Sequence, residues 1–188
     1  MNENGLPQRK GTRLRNFDYS TTGAYFITIC VRDRMRILSE IVSPNLTIKS
    51  NANDFTSVGE GLGPPAVRLT KIGKIVEQQL ILIEKRYYNL TIDEYIIMPD
   101  HIHILFMLRN VAGGASPSPT VHDVICAFKS LTSRICKKQF GIEQIFQRSC
   151  ADHVIRDRKD YEIKKRYIYE NPMKWYYNKE RDCNGLWE

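Results

Sequence analysis

The stretch Tyr95-Ile-Ile-Met-Pro-Asp-His-Ile-His-Ile-Leu-Phe106 places two histidines, His101 and His103, inside an apolar run. Residues two apart in a β-strand point to the same face of a sheet, so the two imidazoles should lie side by side. Buried polar groups are costly unless they have a partner, and a divalent metal ion is a partner that both rings can share. The pattern therefore predicts a strand that carries a metal site.

The segments around this stretch predict further strands. Residues 91–98 and 101–108 are separated only by Pro99-Asp100, which is typical of a β-hairpin, although one bulged continuous strand has the same pattern. Residues 24–31 form a β-branched and aromatic run that predicts a buried strand, and residues 35–42 could pair with it after the turn at residues 32–34. Residues 152–156 predict one more short strand.

Three helices are predicted from apolar residues that recur at helical spacing. The first should begin after Thr70 as N-cap and run to about Arg86, and the second should span residues 121–138. The third should begin after Asp157 and end near Glu170, because residues before a proline, here Pro172, avoid the α region. The order strand, helix, strand, strand, helix, strand predicts an α+β, ferredoxin-like split βαβ antiparallel sheet with an added C-terminal helix.

Length and composition bound the class of protein. The length of 188 residues predicts a single domain, here at residues 16–188. The basic and polar residues 1–15 predict a mobile arm, and the Ser, Asn, Gly and Pro content of residues 43–67 predicts a surface insertion. The chain contains no apolar run of the roughly 20 residues that a membrane-spanning helix needs, and no signal-peptide pattern, so we expect a cytoplasmic protein without a membrane partner. The net charge of +7 weakly indicates a polyanionic partner.

The predicted last helix supplies further candidate residues. Tyr167 and Asn171 are four residues apart and should share one helix face. Two imidazoles and one amide oxygen, with open positions for phosphate oxygens, would suit Mg²⁺ or Mn²⁺. A phenol beside that ion could attack phosphorus directly. Alternatively, Asn171 could only cap the end of the helix before Pro172.

Four sequence blocks in one order resemble a known family. Met98-Pro-Asp-His-Ile-His103 resembles the His-hydrophobic-His (HUH) motif of single-tyrosine HUH transposases. From about Arg13 to Trp175 the chain more narrowly resembles their REP-associated tyrosine transposase branch. The other blocks are Asp18–Thr28, Phe146–Ser149 leading into Asp152–Arg156, and Tyr167–Trp175. Phe146 and Cys150-Ala151 replace aromatic residues that the family usually has near the third block.

The resemblance implies a ferredoxin-like catalytic core in which Tyr167 is the nucleophile and His101 and His103 are the metal ligands. Asn171 stands where related transposases carry a glutamine ligand. The implied reaction is Mg²⁺- or Mn²⁺-dependent cleavage and rejoining of single-stranded or hairpin DNA through a 5′-phosphotyrosine intermediate. The enzyme would be nucleoid-associated when acting, and the family leaves both a monomer and a homodimer open.

Basic side chains near these blocks are candidate DNA contacts. Helical spacing further predicts that Lys164 helps Tyr167 to ionise, and His153 is a weaker candidate for lining the site. Two alternative functions stay open, a metal-dependent phosphoesterase that uses water and a catalytically silent protein that binds DNA hairpins. The candidate DNA contacts are Arg13, Arg15, Arg148, Arg156, Lys164 and Lys165.

Overall fold

A four-stranded antiparallel sheet forms the centre of the computed structural model, which describes residues 22–42, 65–109 and 119–177. Strands β1 (Gly23–Cys30), β2 (Ser39–Val42), β3 (Ala66–Leu69), β4 (Leu90–Ile97), β5 (His101–Leu108) and β6 (Ala151–Val154) follow in chain order. The large sheet has the order β4-β5-β1-β6, and every neighbouring pair is antiparallel. The predicted α+β ferredoxin-like sheet is confirmed, and so is the predicted hairpin between β4 and β5.

Helices α1 (Lys71–Arg86) and α2 (Val121–Phe140) cover one face of this sheet. Thr70 caps α1, as predicted, by accepting a 3.1 Å hydrogen bond from the Gly73 N–H, and Gly141 ends α2 with a φ of 71°. Alternate residues of β1 and β5, such as Ile27 and Ile104, are buried with residues of both helices in the main core. This burial accounts for the 3.6-residue apolar period of the two helices.

Helix α3 (Arg158–Tyr177) packs on the opposite face of the sheet. Asp157 caps it by accepting a 2.8 Å hydrogen bond from the Asp160 N–H, as predicted. A second, smaller core joins Ile168 of α3 to Phe26 of β1 and Leu105 of β5. The face of the sheet that carries the histidines is therefore covered by α3.

The predicted end of the last helix is wrong, because α3 continues through Pro172 to Tyr177. A proline inside a helix cannot donate a backbone hydrogen bond, which costs the helix stability. Pro172 is buried together with Ile168 and Asn171 on the packed side of α3. We infer that packing against the sheet outweighs the lost hydrogen bond.

The predicted pairing of residues 35–42 with β1 is also wrong. Strand β2 pairs instead with β3 in a separate two-stranded ribbon. Leu38 fixes the start of the ribbon, since its N–H donates to the Pro99 carbonyl and its own carbonyl accepts from the Thr70 N–H, each at 3.0 Å. A Cβ at Gly73 would lie 2.0 Å from the Leu38 carbonyl oxygen, so only glycine fits there.

Several predictions fall on residues that the structure does not describe. The basic arm at residues 1–15, including Arg13 and Arg15, lies outside the described residues, as does most of the insertion at 43–67. Among the described helices, none has the length and apolar character required to cross a membrane.

Candidate active site

His101 and His103 lie side by side on the face of β5 that α3 covers, as their spacing predicted. Their side chains are almost completely buried, and the ring centroids are 4.6 Å apart with the planes at 72°. The Nε2 atoms of both rings are buried and have no hydrogen-bond partner among the described residues. Two adjacent buried nitrogens without partners are energetically unfavourable unless a ligand bridges them.

The other nitrogen of each ring is held by a neighbouring side chain. His101 Nδ1 lies 2.5 Å from Asp100 Oδ1, and because an ionised carboxylate only accepts, this nitrogen donates. His103 Nδ1 lies 2.9 Å from Thr28 Oγ1, which can accept from it. In this protonation pattern both Nε2 atoms carry lone pairs, the state that a metal ligand requires.

The electrostatic environment keeps His103 neutral. Burial lowers the pKa of His103 well below its usual value, and electrostatic interactions with His101, Lys164 and Arg34 lower it further, in that order. Desolvation disfavours the charged imidazole because a buried cation loses its hydration. His103 therefore retains its Nε2 lone pair at pH values at which an ordinary histidine is protonated.

Tyr167 approaches the imidazole pair from α3. Its ring meets the ring of His103 edge to face, with centroids 5.1 Å apart, and lies 5.9 Å from the ring of Phe26. The Lys174 ammonium lies 5.4 Å from the centroid of the Tyr167 ring. Lys164, which spacing placed beside the tyrosine, lies over the ring of Phe26 at 5.3 Å. Tyr169 is 76% exposed, in line with its position on the far side of the helix.

Asn171 lies one turn beyond Tyr167 and is buried. Because α3 continues past it, the alternative in which Asn171 only caps the helix end is wrong. Among the described residues, no three His, Cys, Asp or Glu side chains converge as a ligand set. Within the described part of the chain, a third ligand for an ion at the imidazole pair would be of another type, such as an asparagine amide, which hard ions accept.

The structure brings further residues to the site that were not assigned a role from the sequence. Thr28 and Asp100 orient the two histidines. Both lie inside the sequence blocks quoted above, but neither was given a role there. Trp175 lies with its ring 5.9 Å from His101, and the Arg36 guanidinium lies 5.2 Å from the centroid of the Trp175 ring. Only Asp100 and His101 are neighbours in the chain. The other contacts join distant segments, so sequence spacing could not predict them.

The candidate DNA contacts are spread over different parts of the molecule. Lys164 is beside the site, whereas the Lys165 ammonium forms ion pairs with Asp93 at 3.4 Å and Glu94 at 3.1 Å. Arg156 is exposed between β6 and α3. Arg148 lines a cleft of about 520 Å³ between α2 and residues 144–150, on the other layer of the fold.

His153 is placed on the same face of the sheet as the imidazole pair. It pairs with Phe26 in the register of β1 and β6, and residues that pair across antiparallel strands point to one face. Its Nε2 lies 2.7 Å from Asp160 Oδ2, which also accepts from the Arg156 N–H at 3.2 Å. His153 thus borders the site through Phe26 and is oriented by α3.

Comparison with known proteins establishes the fold. The chain superposes on a REP-associated tyrosine transposase bound to a REP hairpin with a TM-score of 0.54, at 20% identity, over 86% of this chain and 73% of that one. The chain has the fold of that transposase. The architecture that the family resemblance implied from the sequence is therefore confirmed.

Sequence comparison adds one relative. An uncharacterized protein of Haemophilus influenzae is 26% identical over 186 residues, which cover 91% of this chain and 92% of that protein. No family model matches the chain. The match to the H. influenzae protein spans nearly the full length of both chains.

Proposed function

We propose that the protein is a metal-dependent transposase that cleaves and rejoins single-stranded DNA through a covalent bond to Tyr167. One observation carries the proposal: the Tyr167 ring lies 5.1 Å from the ring of His103, next to two buried imidazole nitrogens without hydrogen-bond partners among the described residues. The four sequence blocks and the fold shared with a hairpin-bound transposase support it.

The residues present fit a divalent ion. His101 and His103 would supply their Nε2 lone pairs, and Asn171 would supply an amide oxygen from α3. Such a mixed nitrogen and oxygen set, completed by phosphate oxygens, accommodates Mn²⁺ or Mg²⁺. When bound, the ion would withdraw negative charge from the phosphate oxygens and so ease attack on phosphorus.

Tyr167 performs the covalent step in this proposal. Its phenolic oxygen, after losing its proton, forms a bond to the scissile phosphorus while the bond from phosphorus to the preceding 3′-oxygen breaks. The departing 3′-oxygen takes up a proton and becomes a hydroxyl, and the 5′ end of the DNA stays on Tyr167. Attack by another 3′-hydroxyl reverses the step, and no nucleotide triphosphate is consumed because one phosphodiester replaces another.

Lys174 is the candidate for assisting the loss of the proton. Its ammonium lies 5.4 Å from the centre of the Tyr167 ring and is held by a 2.8 Å ion pair to Glu170. A nearby positive charge favours the ionised form of a phenol. Lys164, predicted for the same role, stays a candidate, and its ammonium lies over the ring of Phe26.

Hairpin DNA with single-stranded flanks is the proposed substrate. The net charge of +7 favours a polyanion, and the structural relative was solved with a REP hairpin. The exposed Arg148 and Arg156, with Lys164 at the site, are proposed to contact phosphates outside the reacting one. Lys165 is a weaker candidate, since two carboxylates already bind it.

The test is covalent capture. A pool of 3′-labelled oligonucleotides with one hairpin and randomised single-stranded flanks is incubated with the protein and Mg²⁺ or Mn²⁺, then denatured in detergent. We expect labelled DNA to remain on the protein, to be lost in Tyr167→Phe, and to persist in the control Tyr169→Phe. Mass spectrometry of the adduct should identify Tyr167.

The alternatives give different results in the same experiment. Metal-dependent cleavage that survives Tyr167→Phe would show that water is the nucleophile. Hairpin binding without adduct or cleavage under either ion would show a silent binding protein. Either outcome overturns the proposal.

A further inference from the structure

The turn after β1 contains two consecutive non-glycine residues in the left-handed region of backbone space. Asp33 has φ 54° and ψ 22°, and Arg34 has φ 54°. Such a backbone is unfavourable for residues with a Cβ, and it persists only where the surrounding structure enforces it, often at functional sites. Here the Val31 N–H donates to the Asp100 carbonyl at 2.8 Å, which ties this turn to the residue before His101.

The Arg34 side chain reaches Asp100 from this turn. Nη1 of Arg34 lies 3.9 Å from Asp100 Oδ2, which is an ion-pair contact but too long for a hydrogen bond. The same Nη1 is buried and has no hydrogen-bond partner among the described residues, although the side chain as a whole is 29% exposed. Since a guanidinium is always charged, an unsatisfied buried N–H is costly.

Asp100 connects this unused donor to the imidazole pair. The other oxygen of Asp100, Oδ1, accepts the hydrogen bond from His101. The positive charge of Arg34 also contributes to the lowered pKa of His103. Lys164 supplies a second positive charge from the α3 side, over Phe26. An anion that reaches the two histidines would therefore meet cationic groups from two separate elements.

We propose that Arg34 binds a non-bridging oxygen of the phosphate that Tyr167 attacks. A guanidinium N–H matches a phosphate oxygen in charge and geometry, so the bound DNA would satisfy the donor that the protein leaves unused. The inference rests on the proposed function and deepens it, because it assigns the phosphate-binding group. The competing explanation is that Arg34 serves only to neutralise Asp100.

Equilibrium binding of DNA separates the two explanations. A fluorescent hairpin oligonucleotide with single-stranded flanks is titrated with Tyr167→Phe protein in EDTA, so that neither chemistry nor a metal contributes. We expect Arg34→Gln to weaken binding about tenfold or more. The logarithmic salt dependence of binding should become shallower by about 0.7, the value for one phosphate contact on a single strand.

Arg32→Gln is the matched control, since it removes the same charge two residues away. Arg32 is exposed and contacts Gln144 at 3.3 Å and Asp33 at 3.5 Å. A loss of affinity in this variant equal to that of Arg34→Gln would show a general charge effect and would overturn the proposal. Circular dichroism and thermal unfolding check that both variants fold.

Replacement of single phosphates by uncharged methylphosphonates tests the contact itself. The attacked phosphate is identified from the 5′ end of the DNA in the adduct. A methylphosphonate at this position should weaken DNA binding by the Tyr167→Phe protein. It should not further weaken DNA binding when the protein also carries Arg34→Gln. Equal losses of DNA affinity in both proteins would overturn the proposal. Full recovery of DNA affinity when Asp100→Asn is added to Arg34→Gln would also overturn it. That double variant also serves if Arg34→Gln alone fails to fold.

The two proposals fail in different ways. If no adduct forms, methylphosphonates are placed at each position along the strand in turn. One position where the replacement weakens binding by the parent protein but not by Arg34→Gln (the expected non-additivity) would support Arg34 as a phosphate ligand, while the covalent mechanism fails. An adduct on Tyr167 without such non-additivity at any position would overturn only the role of Arg34. Absence of DNA binding would overturn both.

Discussion

Thr28 of β1 and His103 of β5 face each other in the sheet register, and Thr28 Oγ1 lies 2.9 Å from His103 Nδ1. Both side chains are buried, so this contact is made away from water. It directs the Nε2 lone pair of His103 to the side of the sheet that α3 covers. With Nδ1 held by this hydroxyl group on the neighbouring strand, Nε2 is the nitrogen of His103 that stays available.

Thr28→Val should destabilise the fold by about 1–3 kcal/mol, since it leaves a buried N–H of His103 without an acceptor. Thr132→Val is the control, because the buried Thr132 hydroxyl donates to the Phe128 carbonyl, which the helix already uses. Its cost should stay below about 1 kcal/mol. Urea unfolding measures both, and equal costs would contradict the assigned role of Thr28.

The stability of the metal-free protein should fall as the pH drops below about 6.5, and His103 is one cause. Its pKa in the folded protein is well below the usual value, mainly through burial, so the unfolded chain binds a proton there that the folded chain does not. Stability then rises with pH between the folded and the unfolded pKa, by up to about 1.4 kcal/mol per pH unit.

Urea unfolding at pH 7.5 and pH 5.0 in EDTA measures this effect. The difference in the free energy of unfolding between pH 7.5 and pH 5.0 should be smaller in His103→Gln than in the parent protein. His122→Gln, which replaces an exposed histidine of α2, is the control for the loss of one histidine. An undiminished difference in His103→Gln would show that His103 titrates normally.

Asp100→Asn should weaken the binding of Mn²⁺ by about 10–100-fold, since the carboxylate orients His101 through Nδ1 and raises its basicity. Titration calorimetry or the loss of the free Mn²⁺ electron paramagnetic resonance signal measures the affinity. Asp33→Asn, which changes an exposed carboxylate of the neighbouring turn, should bind Mn²⁺ like the parent. Parent-like affinity in Asp100→Asn would argue against a metal at His101.

Gly73→Ala should destabilise the protein by about 1–3 kcal/mol or more, because the added Cβ would lie 2.0 Å from the Leu38 carbonyl oxygen. The backbone at Leu38 would have to move, and it anchors both the β2–β3 ribbon and the Pro99 turn. Gly23→Ala is the control, since the atoms nearest to its Cβ would be those of the Tyr25 side chain, at ordinary distances of 3.6 Å or more. Thermal unfolding should separate the two variants clearly.

Local patterns in the sequence were sufficient for most of the fold. Four predicted elements are confirmed because each depends on residues close together in the chain. They are the helices that begin after Thr70 and Asp157, the hairpin at Pro99-Asp100 and the short strand near His153. Alternation in β5 also placed His101 and His103 on one face. These features follow from backbone geometry and apolar periodicity alone.

The tertiary structure decided what those patterns leave undetermined. The partner of β2 is β3, more than twenty residues later, and α3 continues through Pro172 because burial against the sheet outweighs a lost hydrogen bond. Sequence spacing paired His101 with His103, but strand register brought Thr28 to His103. The packing of the turn after β1 brought Arg34 to Asp100. Contacts between distant segments depend on how whole elements pack, which no local period encodes.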